Sequence, residues 1–143
     1  MYNFEELISE ITADSKIDQT NLEAEIVRCT SLIAKYLRIH RRYKEGLIQM
    51  WAKRDATTLD KQEYYAGRAL DYVYKEKPFN LEVKNAVEMK RWIDGDLDLL
   101  NMNKVILSVE DQMEKVEMML EQLKYRPNHI QTILQIRMFE SGA

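Results

Sequence analysis

The sequence predicts an all-α protein built on a long, coiled-coil-like helical hairpin with short N- and C-terminal helices, assembling into a homo-oligomer. Three observations predict it. Of the 143 residues 45% are apolar and 31% charged, with only four glycines and two prolines; few breakers among many charges suit long helices better than a sheet. Two stretches repeat apolar residues in alternating steps of four and three, the heptad spacing of helices packed along a seam. Finally, more apolar side chains remain than one hairpin covers, Trp51, Trp92, Leu134, Ile136 and Phe139 among them, and another subunit is the economical place for them.

The elements follow in order within a single domain, 1–143. Asn3 is positioned to cap a first helix, with Glu6 completing a capping box, and Phe4, Leu7, Ile8 and Ile11 follow at helical spacing. The pattern fades over Ala13 to Lys16. A second, basic helix lies within 17–68, beginning near Asp18 or Thr20. Its stripe is Leu22, Ile26, Cys29, Ile33, Tyr36, His40, Tyr43, Leu47 and Met50. The same register then reads Arg54, Thr57, Lys61 and Tyr64, so the seam turns from apolar to basic and aromatic. Gly67 ends it.

Residues 69–81 read as irregular, with a turn at Lys77-Pro78-Phe79-Asn80 and Asn80 as the next cap. A second long helix is expected over 81–125. Its seam is Met102, Ile106, Val109, Met113, Val116, Leu120 and Leu123. Pro127 is expected to stop it, and a last helix, 128–142, carries Ile130, Ile133 and Leu134 on one side, with Gly142 as its cap.

Several function classes are excluded. Asp94-Gly95-Asp96-Leu97-Asp98 superficially resembles a calcium loop, but the required sixth and twelfth positions hold Leu99 and Val105, so it reads as a solvated acidic face. His40 and His129 have no ligand neighbours at metal spacing. No nucleophile elbow, phosphate loop or dinucleotide fingerprint occurs, so neither enzyme, cofactor nor metal centre is expected. The lone cysteine, Cys29, sits among Ile26, Leu32 and Ile33 as a buried thiol. No apolar run approaches the roughly 20 residues of a membrane span and the start lacks a signal core, which predicts a cytoplasmic protein.

Charge distribution is more informative than the net charge of −3. Residues 28–68 hold ten Lys/Arg against four Asp/Glu, a local basic footprint on an acidic chain. Arg38, Arg41, Arg42 and Lys44 form one group. Lys53, Arg54, Lys61 and Arg68 form another, interleaved with Trp51, Tyr64 and Tyr65. Cations track phosphates and aromatic faces stack on bases without regard to sequence. The alternative is a mixed-charge helical face on a coiled-coil structural or adaptor protein that never touches nucleic acid.

At this segment the chain resembles the UvsY-type family of phage recombination mediators. The resemblance rests on Ile17-Asp18-Gln19-Thr20-Asn21-Leu22, on His40 and Lys44 in register, on Tyr64-Tyr65-Ala66-Gly67-Arg68, and on the ending from Arg126 through Ile130, Ile133 and Arg137 to Phe139-Glu140-Ser141-Gly142. It implies a non-enzymatic ring of six or seven subunits in the infected bacterial cytoplasm. Such proteins bind single-stranded DNA and contact both a RecA-like recombinase and a single-strand DNA-binding protein, helping the first replace the second. The family's basic pair before the tyrosines falls on Leu59 and Lys61, and only Lys61 keeps its charge. The expected DNA contacts are therefore Lys53, Arg54, Lys61, Tyr64, Tyr65 and Arg68, and the expected oligomer contacts Ile130, Ile133, Leu134 and Phe139.

Overall fold

The computed structural model describes residues 2–142; Met1 and Ala143 of the expected 1–143 domain lie outside the described residues. Among the described residues five helices follow in order: α1 (Phe4–Ser15), α2 (Leu22–Tyr65), α3 (Asp71–Glu76), α4 (Ala86–Asp94) and α5 (Leu97–Glu140). Two compact units form, one from Met1–Glu45 with Glu110–Ala143, the other from Gly46–Val109. The class is all-α, with α2 and α5 antiparallel in each unit.

Local chemistry sets most helix ends. Asn3 Oδ1 accepts from Glu6 N at 2.8 Å while Asn3 N donates to Glu6 Oε2, the expected capping box. Asp18 folds the next turn by accepting from Thr20 N at 2.9 Å, and α2 starts at Leu22 under Asn21, whose Oδ1 accepts from Ala24 N. Gly67, at φ 78°, ends α2. Arg68 N donates to Glu63 O and Gly67 N to Tyr64 O, the paired closure that a left-handed residue after a helix permits.

In the first unit α1 and parts of α2 and α5 bury Leu7, Cys29, Tyr36, Tyr43, Val116, Met119, Leu123 and Ile130, each 2% exposed or less. Full burial of such side chains stabilises by about 1.5–3 kcal/mol apiece. Polar contacts fix the register. Tyr43 Oη donates to Gln112 Oε1 at 2.7 Å, and His40 Nε2 lies 2.9 Å from Glu117 Oε1. Asp14 accepts from Lys35 Nζ at 2.6 Å and from Tyr36 Oη at 2.8 Å. Burial opposes its ionisation, but those bonds and the charges of Lys35 and Arg28 prevail and lower its pKa.

Pro127 does not stop α5, which runs from Leu97 to Glu140 with the proline inside it. The helix expected over 128–142 is its last part. A proline there removes one backbone bond, and packing on both sides offsets that loss: Leu123 and Ile130 are fully buried. Between them the Arg126 guanidinium, 6% exposed, donates to Asp14 O and Ser15 O at the end of α1.

The second unit departs further from expectation. The segment read as irregular contains α3, and Asn85 rather than Asn80 caps the helix that follows, its Oδ1 accepting from Glu88 N at 2.8 Å. The long helix expected over 81–125 is divided at Gly95 and Asp96 into α4 and α5. Asp96, expected on a solvated face, is 6% exposed and accepts from Leu99 N at 3.1 Å. Leu47, Tyr65, Val83, Leu99, Ile106 and Val109 complete this core.

Candidate nucleic-acid interface

The six residues expected to contact DNA all lie in the second unit, on the last turns of α2 and just past its end. The inward register of α2 continues through Leu47, Met50, Arg54, Lys61 and Tyr65, which are buried or half-buried. The basic and aromatic part of the seam therefore turns toward the unit's own interior.

Lys61 is held there. Its Nζ lies 2.7 Å from Asp98 Oδ2 and 3.3 Å from Asp96 Oδ2, and only 19% of its side chain is exposed. Burial opposes its charge, but the two carboxylates prevail and raise its pKa. Asp96 also accepts from Tyr65 Oη. Burial works against that carboxylate too, yet the bonds from Tyr65 and Leu99 N, with the charge of Lys61, lower its pKa. Burial, then the bond to Asp96, push the Tyr65 phenol up.

Tyr64 is similarly engaged. Its ring stacks on Tyr74 with centroids 5.3 Å apart, and its Oη donates to Lys77 O at 2.8 Å. Tyr65, Phe79 and Trp92 extend the aromatic cluster at centroid distances of 5.1 to 5.5 Å. Beside it opens a cavity of about 880 Å³ lined by Lys61, Lys77 and Arg91 and by Glu82, Glu88, Asp96 and Asp98, with Tyr64, Tyr65 and Trp92 in its wall. Four carboxylates against three cations leave the lining of this cavity without net positive charge.

The remaining expected contacts are apart from the cluster. Lys53 is exposed. The Arg54 guanidinium lies 5.2 Å from the Trp51 ring centroid, and its Nε is buried with no hydrogen-bond partner. Arg68 is exposed and meets Glu63 Oε2 at 3.2 Å. The structure thus brings Lys61, Tyr64 and Tyr65 together but not Lys53, Arg54 and Arg68. Sequence reasoning missed Tyr74, Phe79, Trp92 and Asp96 as their partners; the density of aromatics from Tyr64 to Trp92 was the available signal.

In the first unit, Arg38, Arg41 and Arg42 are exposed on α2. Of the residues expected at the oligomer interface, Ile130 is fully buried within its own chain, Ile133 and Leu134 are half-buried, and Phe139 is 83% exposed. Among the described residues, no helix is long and apolar enough to cross a membrane, and no group of His, Cys, Asp or Glu is set to hold a metal ion.

Comparison with known proteins adds to this geometry. A family model described as "Recombination, repair and ssDNA binding protein UvsY" matches residues 10–143. Crystal structures of the bacteriophage T4 recombination mediator protein UvsY share the fold. The type II lattice gives a TM-score of 0.84 at 24% identity, covering 99% of both chains. The type IV lattice gives 0.80 at 24% identity, covering 97% of this chain and 99% of the other. In the type I lattice the values are 0.79 and 23%, with coverage of 94% and 98%. No curated protein sequence matches.

Proposed function

Because the chain belongs to the UvsY family of recombination, repair and single-stranded-DNA-binding proteins, we propose that it helps load a RecA-like recombinase onto DNA covered by single-strand-binding protein. The family is non-enzymatic, so the work is binding and exchange. The observation that carries the reading is the family match across residues 10–143, which includes nearly all of both units.

In this proposal a single strand runs along the segment from Lys53 to Arg68. Lys53 and Arg68 offer exposed charges to the sugar-phosphate chain, and Arg54 with Trp51 adds a cation beside an aromatic ring. Lys61 engages a phosphate by giving up Asp98, while the buried Tyr65 holds that end of α2 in shape and the half-buried Tyr64 offers a ring edge to bases. One subunit making about three phosphate contacts has a salt slope near −2 on single strands. Several linked subunits acting on one strand raise the effective local concentration and supply the avidity that one lacks.

A hexamer or heptamer is the assembly we infer, with the end of α5 as its contact. Phe139 stands 83%, Met138 63% and Ile136 51% exposed there, while Ile133 and Leu134 lie half-covered behind them.

Fluorescence anisotropy with a labelled oligonucleotide at low and moderate salt tests the binding: saturable, salt-sensitive association is expected. Recombinase ATPase on strands precoated with single-strand-binding protein tests the loading: the chain should shorten its lag. Absence of saturable binding at low salt overturns the reading in favour of the adaptor alternative.

A further inference from the structure

Several cations of the first unit have structural partners. Arg28 and Lys35 bind carboxylates of or beside α1, and Arg126 binds two carbonyls at its end. Arg38, Arg41 and Arg42 do not fit that pattern. They lie on α2 at i, i+3 and i+4, which places them on one helix face. Tyr36, Ile39 and Tyr43, interleaved with them, are buried, so the arginine face points away from the unit's core. Arg41 Nε meets Glu45 Oε1 at 2.9 Å, but that pair is open to water, with side chains 81% and 59% exposed, and such pairs hold a helix only weakly. Among the described residues neither Arg38 nor Arg42 pairs with a carboxylate or hydrogen-bonds another side chain. Like charges one turn apart repel. The fold therefore gains little from these three charges and bears their mutual repulsion.

We propose that Arg38, Arg41 and Arg42 form a phosphate-binding face for single-stranded nucleic acid, separate from the segment Lys53 to Arg68. The inference rests on the single-strand-binding reading and says where on the chain much of that binding resides. Guanidinium forks match phosphate oxygens bidentately and stay charged at every working pH. No exposed aromatic side chain lies on the face, and a flexible polyanion needs only cations in a row. Lys61, by contrast, already has two carboxylates within reach, so a phosphate there must displace one, while at Arg38 and Arg42 it displaces only water and counterions.

The test uses the full chain, a labelled oligothymidylate and anisotropy between 50 and 200 mM salt. Arg38→Gln/Arg42→Gln should flatten the slope of log K against log salt by about 1.4 per engaged subunit, so that the affinity lost over that range shrinks about sevenfold. Arg38→Lys/Arg42→Lys keeps the charges and should keep the slope. The side chains are exposed, so the circular dichroism melt of both variants should match the parent. Unchanged affinity and slope in the Gln variant, with the parent binding normally, overturns the proposal and leaves single-strand binding standing. Loss of retention on immobilised poly-glutamate with DNA binding intact also overturns it, by assigning the face to an acidic protein. If the parent itself fails to bind the oligonucleotide, the family-level reading fails, and the arginine face with it.

Discussion

At the scale of single residues, Asp96 is the clearest case of a side chain whose role the sequence hides. It stands in an acidic run, Asp94 to Asp98, that looks solvated. In the folded chain it caps α5, accepts from Tyr65 and faces Lys61 from a site 6% exposed. Its charge is needed because two donors and a cation converge on it. Asp96→Asn keeps the cap but removes that charge, and should cost about 1–3 kcal/mol in urea unfolding; a change below about 0.5 kcal/mol, the range of ordinary surface substitutions, shows the network to be idle. Asp14 and Asp96 both have folded-state pKa values lowered below the ordinary 3.8. A carboxyl that ionises more readily when folded contributes stability that is whole above its unfolded pKa and drains away as pH falls through the folded one. Unfolding free energy should therefore hold from neutrality to about pH 5, decline below about pH 4, and decline less steeply in Asp14→Asn/Asp96→Asn. An equal decline in parent and variant refutes the assignment. Among the expected DNA contacts, the sequence revealed the cations but not their direction: Lys61 continues the inward register, and its carboxylates lie 35 and 37 residues away.

At the scale of elements, what could be read from sequence was what local chemistry decides. The capping box at Asn3, the stop at Gly67 and both heptad seams need only neighbours within a turn or two, and each stands where it was expected. Elements decided by distant partners were missed. Pro127 breaks an isolated helix, yet Leu123, Arg126 and Ile130 are seated by contacts from far along the chain, and α5 continues. Arg126 also solves a problem for α1, whose last turn carries no basic residue: it supplies the cation and two donors that the terminal carbonyls lack. Arg126→Met keeps much of the buried stem and removes those donors, so it should lower stability by about 2 kcal/mol and speed amide exchange in α1 more than in the second unit. Uniform acceleration across both units contradicts this cap.

At the scale of the whole molecule, heptad patterning predicted the helix pairing and the residue surplus predicted assembly, but the pattern does not say which apolar residues serve the chain's own core and which are left exposed for a partner. Burial separates them. Ile130 belongs to the subunit core and Phe139 does not. Ile130→Ala should therefore cost about 2–5 kcal/mol in unfolding, whereas Phe139→Asp should leave the subunit's helicity intact and reduce the assembly mass in light scattering. A Phe139→Asp protein of unchanged mass removes the end of α5 from the interface. Cys29 offers a practical route to such measurements. The sequence holds no other cysteine, its side chain is 2% exposed, and burial raises its thiol pKa. A maleimide in solution therefore finds almost no reactive sulfur on the native chain. Dyes can be attached through cysteines introduced at exposed sites such as Val27 or Val87 with little background, and the slow labelling of the parent becomes a clock for how often its first unit opens.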